Sequence, residues 1–143
     1  MIKICFICTG NTCRSIMAER ILKKEIKDKK IVGIKVSSRG LAANGDNIAD
    51  NAKKALKKLK ASSANRKSMQ LKKVDKDTLY VTMTEKQKEF FEGANCISFK
   101  KLLGFDILDP YGKDEDVYNQ TANQIKEGIL ILLEKLKTWR NLW

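Results

Sequence analysis

The order of apolar and polar positions along the chain predicts strands that alternate with helices. Short apolar runs rich in β-branched and aromatic residues are typical of buried strands. The predicted strands are residues 2–7, about 34–37, 78–83 and about 96–99. Apolar residues that recur every three or four positions are typical of amphipathic helices. The predicted helices are residues 15–30 with Ser15 as N-cap, about 48–60, 85–93, about 114–138, and a short helix near 69–74. Residues 100–113 are predicted to form a loop.

Strands that alternate with helices favour the α/β class, in which a mostly parallel sheet has helices on both faces. The pattern therefore predicts three layers around a four-stranded parallel sheet. Ligands of such folds bind beyond the carboxyl ends of the strands, and the first strand ends at Cys8. No repeat or linker divides the 143 residues, which suit one domain over residues 1–143.

Charge and hydropathy narrow the range of partners. The net charge is +12, from 29 basic and 17 acidic residues. The lysines are scattered along predicted helix faces and arginines are few, so we interpret the charge as solvated surface and expect no nucleic-acid partner. No apolar run reaches the roughly 18 residues of a membrane span, and no cleavage site follows the first residues. We expect a cytoplasmic protein with no membrane contact.

The chain has no histidine, which excludes Ser-His-Asp triads and histidine-based metal sites. Its four cysteines are too few for a secreted disulfide scaffold, which fits a reducing compartment. Cys5 and Cys8 form a C-x-x-C pair, but Cys5 lies inside an apolar strand with the opposite parity, so we interpret it as a core residue. A zinc site would need all four cysteines, and Cys96 has no partner nearby in sequence. We expect no metal and no cofactor.

The loop that follows the first strand has the features of an anion site. It lies at a helix N-terminus, where unpaired backbone N–H groups bind phosphate-sized anions. Gly10 and Asn11 allow the tight curl, and Arg14 can add a bidentate fork. The predicted phosphate-binding residues are Thr9, Gly10, Asn11, Thr12, Cys13, Arg14 and Ser15. Cys8 would lie below this ring of amides, where negative charge on its sulfur is stabilised.

Asp109 is the candidate proton donor. It precedes the only proline, in the segment between the fourth strand and the last helix, where the carboxyl edge of the sheet is expected. A reaction of Cys8 with a phosphorylated group would expel a leaving group that needs a proton, and the chain has no histidine to supply it. Asp-Pro is also a common turn signal. The alternative acids, Asp114, Glu115 and Asp116, suit the first turn of the last helix.

Four motifs spread over nearly the whole chain carry a family resemblance. They are CTGNTCRSIMAE after the first strand, SSRG, LYVTMTEKQK and DPYGKDEDVYNQT. With them the chain resembles the low-molecular-weight protein tyrosine phosphatases. The resemblance implies a cysteine-dependent phosphatase that acts on phosphorylated proteins and needs no metal.

The resemblance also implies roles for individual residues. Cys8 matches the nucleophile, Arg14 the phosphate-binding arginine and Asp109 the general acid. The positions that brace the loop are matched by Asn11, Ser15 and Ser38, and the redox-protective cysteine is matched by Cys13. The chain departs from the family pattern at Ile16, where proline is usual, and at Arg39, where alanine is common. Neither departure removes a reacting group.

Two features favour phosphoarginine over phosphotyrosine as the substrate. Thr12 stands where tyrosine phosphatases of this family usually carry an apolar residue, and Gly112 stands where they tend to carry a second aromatic. Bacterial arginine phosphatases of the family resemble this chain at both positions. A guanidinium needs acceptors and one stacking face, which Thr12 and Tyr111 supply.

Other functions remain as alternatives. A phosphotyrosine phosphatase is the main one. A thiol-dependent arsenate reductase has a similar loop but needs a spaced cysteine pair in the middle of the chain, where only Cys96 is present. A non-catalytic phosphate-binding module would not need Cys8, Arg14 and Asp109 together. We expect a monomer or weak dimer.

Overall fold

The computed structural model describes residues 1–63 and 65–142 and contains a four-stranded parallel sheet. The strands are β1 (Ile2–Cys8), β2 (Ile34–Gly40), β3 (Thr78–Thr82) and β4 (Cys96–Ser98). Their order across the sheet is β2-β1-β3-β4, and every pair is parallel. The predicted α/β class with a four-stranded parallel sheet is confirmed.

Helices cover the two faces of the sheet unequally. They are α1 (Arg14–Asp28), α2 (Asp50–Lys58), α3 (Glu85–Lys88), α4 (Phe99–Leu103) and α5 (Glu115–Leu142), and a 3-10 turn, Glu89–Phe91, continues α3. The helices α1, α2, α4 and α5 enclose the larger apolar core. On the opposite face Tyr80 stacks on Phe91 with ring centroids 4.6 Å apart. Cys8 belongs to the larger core and Cys5 to the smaller, as their opposite parity predicts.

The strand order places the loop after β1 at a switch point of the sheet. The chain runs from β1 to β2 on one side and then returns to β3 on the other side of β1. Cys8 lies opposite Gly40, and its neighbour Ile7 lies opposite Thr82. Connections leave in opposite directions at this point, so a crevice opens above the carboxyl end of β1.

The predicted short helix near residues 69–74 is wrong. The segment is extended and pairs with the end of β2, as Gly40 N donates to Met69 O at 2.8 Å and Leu71 N donates to Gly40 O at 2.9 Å. The strand β2 is an edge strand with backbone groups open to pairing. Tertiary pairing of this kind overrides local propensity.

The prediction of a loop over residues 100–113 is wrong at its start, which α4 occupies. The Ser98 hydroxyl caps this helix by accepting from Lys101 N at 3.2 Å, and Gly104 ends it with φ 90°. Phe99, predicted to lie in the fourth strand, is buried in α4 instead. It packs on Gly128 of α5, where an added Cβ would lie 2.4 Å from the Phe99 ring.

Several helix boundaries also differ from the predictions, among them those of α2, which is Asp50–Lys58 where about 48–60 was predicted. The N-cap position of α1 is Cys13 rather than Ser15, because the Ser15 hydroxyl faces Cys8 instead of capping the helix. The helix predicted over residues 85–93 tightens into the 3-10 turn after Lys88. The last helix continues past residue 138 to Leu142.

Two tryptophans, Trp139 and Trp143, stand near the end of the chain. Trp139 is half-buried against the larger core, and Trp143 lies outside the described residues. Across residues 1–63 and 65–142, no helix is long and apolar enough to cross a membrane.

Candidate active site

A small cavity opens above the carboxyl end of β1. The residues that line it are Cys8, Thr9, Gly10, Thr12, Cys13, Arg14, Asp46, Asp109 and Tyr111. Its volume is about 220 Å³. Small-molecule pockets typically measure about 300–1,000 Å³. The cavity therefore suits the end of a modified side chain better than a whole metabolite.

The segment after β2 sets the orientation of the loop amides. Leu41 N donates to Cys8 O at 3.0 Å, and Ala42 N donates to Thr9 O at 2.8 Å. Further along, Ala49 N donates to Thr12 O at 3.0 Å. In a trans peptide the N–H points away from the preceding carbonyl. With these carbonyls held by the 41–49 segment, the N–H groups of the same peptide units point away from that segment, an arrangement that suits anion binding.

Asn11 holds the curl of this loop. Its φ of 56° lies in the left-handed region, and its side chain is fully buried. The amide Nδ2 donates to Ser15 Oγ at 2.7 Å and to Ser38 Oγ at 3.0 Å. Its Oδ1 accepts from Arg66 Nη1 at 3.1 Å and from Met69 N at 2.9 Å. Four hydrogen bonds to the side chain thus stabilise a left-handed backbone conformation that residues other than glycine rarely adopt.

The sulfur of Cys8 lies at the bottom of the cavity. Asn11 N donates to it at 3.2 Å, and Ser15 Oγ lies 2.9 Å away. The Ser15 oxygen already accepts from the Asn11 amide, so its own proton is free to be donated to the sulfur. Two donors therefore point at the Cys8 sulfur.

Arg14 connects the loop to the segment that carries Asp109. Its Nη1 donates to Ile107 O at 2.9 Å, and its Nη2 lies 3.8 Å from Asp109 Oδ2. The arginine side chain is 6% exposed and that of Asp109 is 54% exposed. Asp109 Oδ1 accepts from Tyr111 N at 3.0 Å, which fixes the carboxylate beside the buried Pro110. The fold thus brings a carboxylate, a guanidinium and a thiol to one cavity.

Two groups behind the cavity were missed from the sequence. Glu19 is buried and accepts from Ser38 Oγ at 3.0 Å, and Arg66 Nη2 lies 3.3 Å from its carboxylate. Arg66 also donates to Ser38 Oγ at 2.8 Å, so it joins Asn11, Ser38 and Glu19 in one network. The sequence signal that could have indicated Arg66 is its position as an arginine in a polar segment of a lysine-rich chain.

Cys13 lies on the other side of the loop, in contact with α5. Its Sγ is 3.2 Å from Tyr118 Oη, and both residues are buried. Burial raises the pKa of the Cys13 thiol and that of the Tyr118 phenol. Both groups therefore keep their protons at neutral pH.

The structure divides the predicted site residues into two groups. Cys8, Arg14, Asp109 and Tyr111 line the cavity, together with the predicted loop positions Thr9, Gly10, Thr12 and Cys13. The side chains of Asn11, Ser15 and Ser38 lie behind its wall and bond to one another. Among the described residues, Asp46 is the lining residue that the sequence did not predict.

A larger groove at the opposite end of the sheet lacks this chemistry. It includes Ile2, Lys3, Cys96 and Trp139. Burial raises the pKa of Cys96 to about 11, so its thiol stays protonated and is a poor nucleophile. In the part of the chain that the structure describes, no three His, Cys, Asp or Glu side chains are grouped so as to hold a metal ion.

Comparisons with known proteins agree on one family. The family model described as low molecular weight phosphotyrosine protein phosphatase matches residues 3–141. A protein-arginine-phosphatase of Geobacillus stearothermophilus is 36% identical, with 95% of this chain and 97% of the relative covered. A low molecular weight protein-tyrosine-phosphatase, PtpB of Staphylococcus haemolyticus, is 32% identical, with 95% and 98% covered.

A solved structure extends the likeness to the fold. A cysteine-to-serine mutant of YwlE arginine phosphatase, solved with a phosphorylated active-site serine, superposes with a TM-score of 0.85 at 29% identity. The match covers 99% of this chain and 100% of that one. The chain belongs to the low molecular weight phosphotyrosine protein phosphatase family and is a cysteine-dependent protein phosphatase.

Proposed function

We propose that this phosphatase removes the phosphoryl group from phosphoarginine residues of proteins, with Cys8 as the nucleophile. The observation that carries the substrate assignment is the polar cavity mouth. Thr12 and Asp109 offer oxygen atoms there, and Tyr111 is the aromatic side chain among the described residues of the lining. A guanidinium group has several N–H donors and a planar face, and it suits such a surface better than a phenyl ring does.

In the first step, the Cys8 thiolate attacks phosphorus in line with the leaving nitrogen. The S–P bond forms as the P–N bond breaks, and the electron pair of that bond stays on nitrogen. Protonated Asp109 gives its proton to the nitrogen, so the product is an arginine guanidinium. Arg14 and the loop amides hold the equatorial oxygens throughout.

In the second step, water attacks the cysteinyl-phosphate. Asp109, now a carboxylate, takes a proton from the water, and the S–P bond breaks to release inorganic phosphate. The Ser15 hydroxyl, 2.9 Å from the sulfur, donates to it and makes it a better leaving group. The serine phosphorylated in the YwlE mutant supports a phosphorylated side chain at this position of the mechanism.

The comparisons support phosphoarginine without excluding phosphotyrosine. Relatives named protein-arginine-phosphatase are 36% and 31% identical to this chain, and one named protein-tyrosine-phosphatase is 32% identical. Tyr111, with 73% of its surface exposed, could also stack on a phenyl ring. Phosphotyrosine is therefore the second candidate substrate.

The four cysteines support a reducing compartment as the place of action. All four are free thiols in the structure. A reducing compartment keeps Cys8 available for catalysis, and the cytoplasm is the compartment we propose. We propose phosphorylated proteins as the substrates of a monomer or weak dimer.

Matched peptides test the substrate assignment. We expect a higher kcat/KM for a phosphoarginine peptide than for a phosphotyrosine peptide with the same flanking residues. Thr12→Ile should move the ratio toward phosphotyrosine by about tenfold, since an apolar wall replaces a hydroxyl. Thr12→Ser, which keeps the hydroxyl, is the control. A wild type that prefers phosphotyrosine, or a ratio unmoved by Thr12→Ile, would overturn the assignment.

A further inference from the structure

Asp46 lines the cavity, yet the reaction steps above do not use it. It lies in the segment between β2 and α2, whereas Asp109 lies in the segment between α4 and α5. Among the described residues, neither a hydrogen bond nor an ion pair engages its carboxylate, whereas its backbone is bonded on both sides. An anionic group at a phosphate site repels the substrate dianion, so its presence there needs a compensating partner.

The position of Asp46 is fixed by contacts to two other segments. Asp46 N donates to Ser68 Oγ at 2.9 Å, and Ser68 N donates to Asp46 O at 2.7 Å. Ser68 is buried, and its neighbour Arg66 belongs to the network behind the cavity. The same loop is tied to the phosphate site by the bond from Ala49 N to Thr12 O. The carboxylate is therefore attached to a held backbone and not to a free surface loop.

Charge states during the reaction separate the roles of the two mouth carboxyls. Asp109 must carry a proton when it protonates the leaving nitrogen, so at that moment it is not an anion. The guanidinium of phosphoarginine is still a cation then, and its outer N–H groups need an anionic acceptor in the mouth. Asp46 is the other acidic residue of the lining.

We propose that Asp46 is a specificity-determining residue that accepts a hydrogen bond from the guanidinium of phosphoarginine. The inference rests on the proposed function, because it names a further contact to the same substrate. Asp46 is solvent-exposed, so the contact contributes modestly, and it weakens as salt screens the two charges.

The test compares two variants that remove the same charge. Asp46→Asn should lower kcat/KM for the phosphoarginine peptide about threefold to fivefold, mainly through a higher KM. It should raise the value for the phosphotyrosine peptide by up to about twofold, because a charge that repels the phosphate is gone. Asp50→Asn, four residues along at the start of α2, should leave the ratio unchanged. The difference between the variants should shrink at about 0.5 M salt.

The outcomes distinguish this inference from the proposed function. A wild type that prefers phosphoarginine, with a ratio that Asp46→Asn does not move, overturns the role of Asp46 alone. An equal loss on both peptides makes Asp46 a structural residue of the loop and also overturns it. A wild type without activity on phosphoarginine overturns both.

Discussion

The floor and the mouth of the cavity are built in opposite ways. The floor, where Cys8 and Arg14 line the cavity and Asn11 and Ser15 support them from behind, is buried and hydrogen-bonded almost throughout. The mouth, which consists of Thr12, Asp46, Asp109 and Tyr111, is half-buried at Thr12 and exposed elsewhere, and it is held mainly through its backbone. A substitution in the floor disturbs several hydrogen-bond partners at once. A substitution in the mouth leaves the structure of the floor unchanged. We therefore expect the floor to control whether a phosphoryl group is transferred and the mouth to control which side chain supplies it.

The largest effect is expected from the floor. Cys8→Ser should lower turnover of every phosphorylated substrate by at least about a thousandfold, because a serine hydroxyl stays protonated where a thiolate is needed. Thermal unfolding should show that the variant still folds. Cys96→Ser, which changes a thiol in the distant groove, is the control and should retain turnover. Substantial activity of Cys8→Ser would remove Cys8 from the nucleophile's role.

In the mouth, Asp109→Asn should affect substrates according to their leaving group. Substrates with poor leaving groups need the proton from Asp109, so their turnover should fall about a hundredfold or more. The turnover of activated aryl phosphates should fall much less. The measurement is kcat on a series of phosphoesters of increasing leaving-group pKa. Asp114→Asn, at the exposed start of α5, should give no such trend. Equal losses across the series for Asp109→Asn would exclude it as the general acid.

A substitution in the hydrogen-bond network behind the floor should reduce activity less than the changes at Cys8 and Asp109, and it should also reduce stability. Arg66→Ala removes four hydrogen bonds, and two of them hold the side chains of Asn11 and Ser38 behind the loop. It also leaves the buried Glu19 with one cation fewer. We expect kcat to fall about tenfold as the loop loses its geometry, and the free energy of unfolding to fall by about 1–3 kcal/mol.

Arg20→Ala is the matched control for Arg66. Arg20 Nε lies 3.1 Å from the same Glu19 carboxylate, and in the described part of the chain Arg20 makes no hydrogen bond with Asn11. Arg20→Ala should therefore reduce stability but spare kcat. If both variants lose kcat equally, the effect comes from Glu19 and the support of Asn11 by Arg66 is not needed.

The floor could be predicted better than the mouth because its residues lie close together in the sequence. Cys8 to Ser15 are consecutive between a strand and a helix, so one motif indicated the loop. The resemblance then supplied Ser38 and supported Asp109, which its place before the only proline had already indicated. Arg66 and Asp46 could not be found this way, because tertiary pairing of the 66–71 segment with the end of β2 and with the 46–47 turn places them.

The fold was predicted where local pattern and packing agree. The strands and the stripe of α5 have strong periodicity, and both are present in the structure. The pattern failed at residues 69–74, which pair with an edge strand, and at α4, a five-residue helix too short to show a period. It also failed at Ser15, whose hydroxyl bonds to Cys8 and so serves the site instead of the helix.

The smallest effect should be a loss of stability in alkaline solution. Burial raises the pKa of Cys5, Cys13 and Cys96 above 9.0, so the unfolded chain loses these protons first. With fewer protons bound in the unfolded state, the free energy of unfolding decreases as the pH rises above about 9. Urea unfolding at a series of pH values between 8 and 11 measures this decrease in the free energy of unfolding.

Cys96 provides the check on this pH dependence. Its pKa of about 11 means that its share of the decline falls between pH 9 and 11. Cys96→Ser should therefore flatten the decline in that interval without changing activity at neutral pH. A stability that stays constant from pH 8 to 11 would contradict the assignment of buried, protonated thiols.

The most direct test of the account is to trap the intermediate formed from phosphoarginine. Wild-type protein is mixed with a phosphoarginine peptide, quenched in the first turnover and digested for mass spectrometry. The account predicts one phosphoryl group on the peptide that contains Cys8, appearing before inorganic phosphate is released. Release of phosphate without this adduct, or an adduct on another residue, would contradict it.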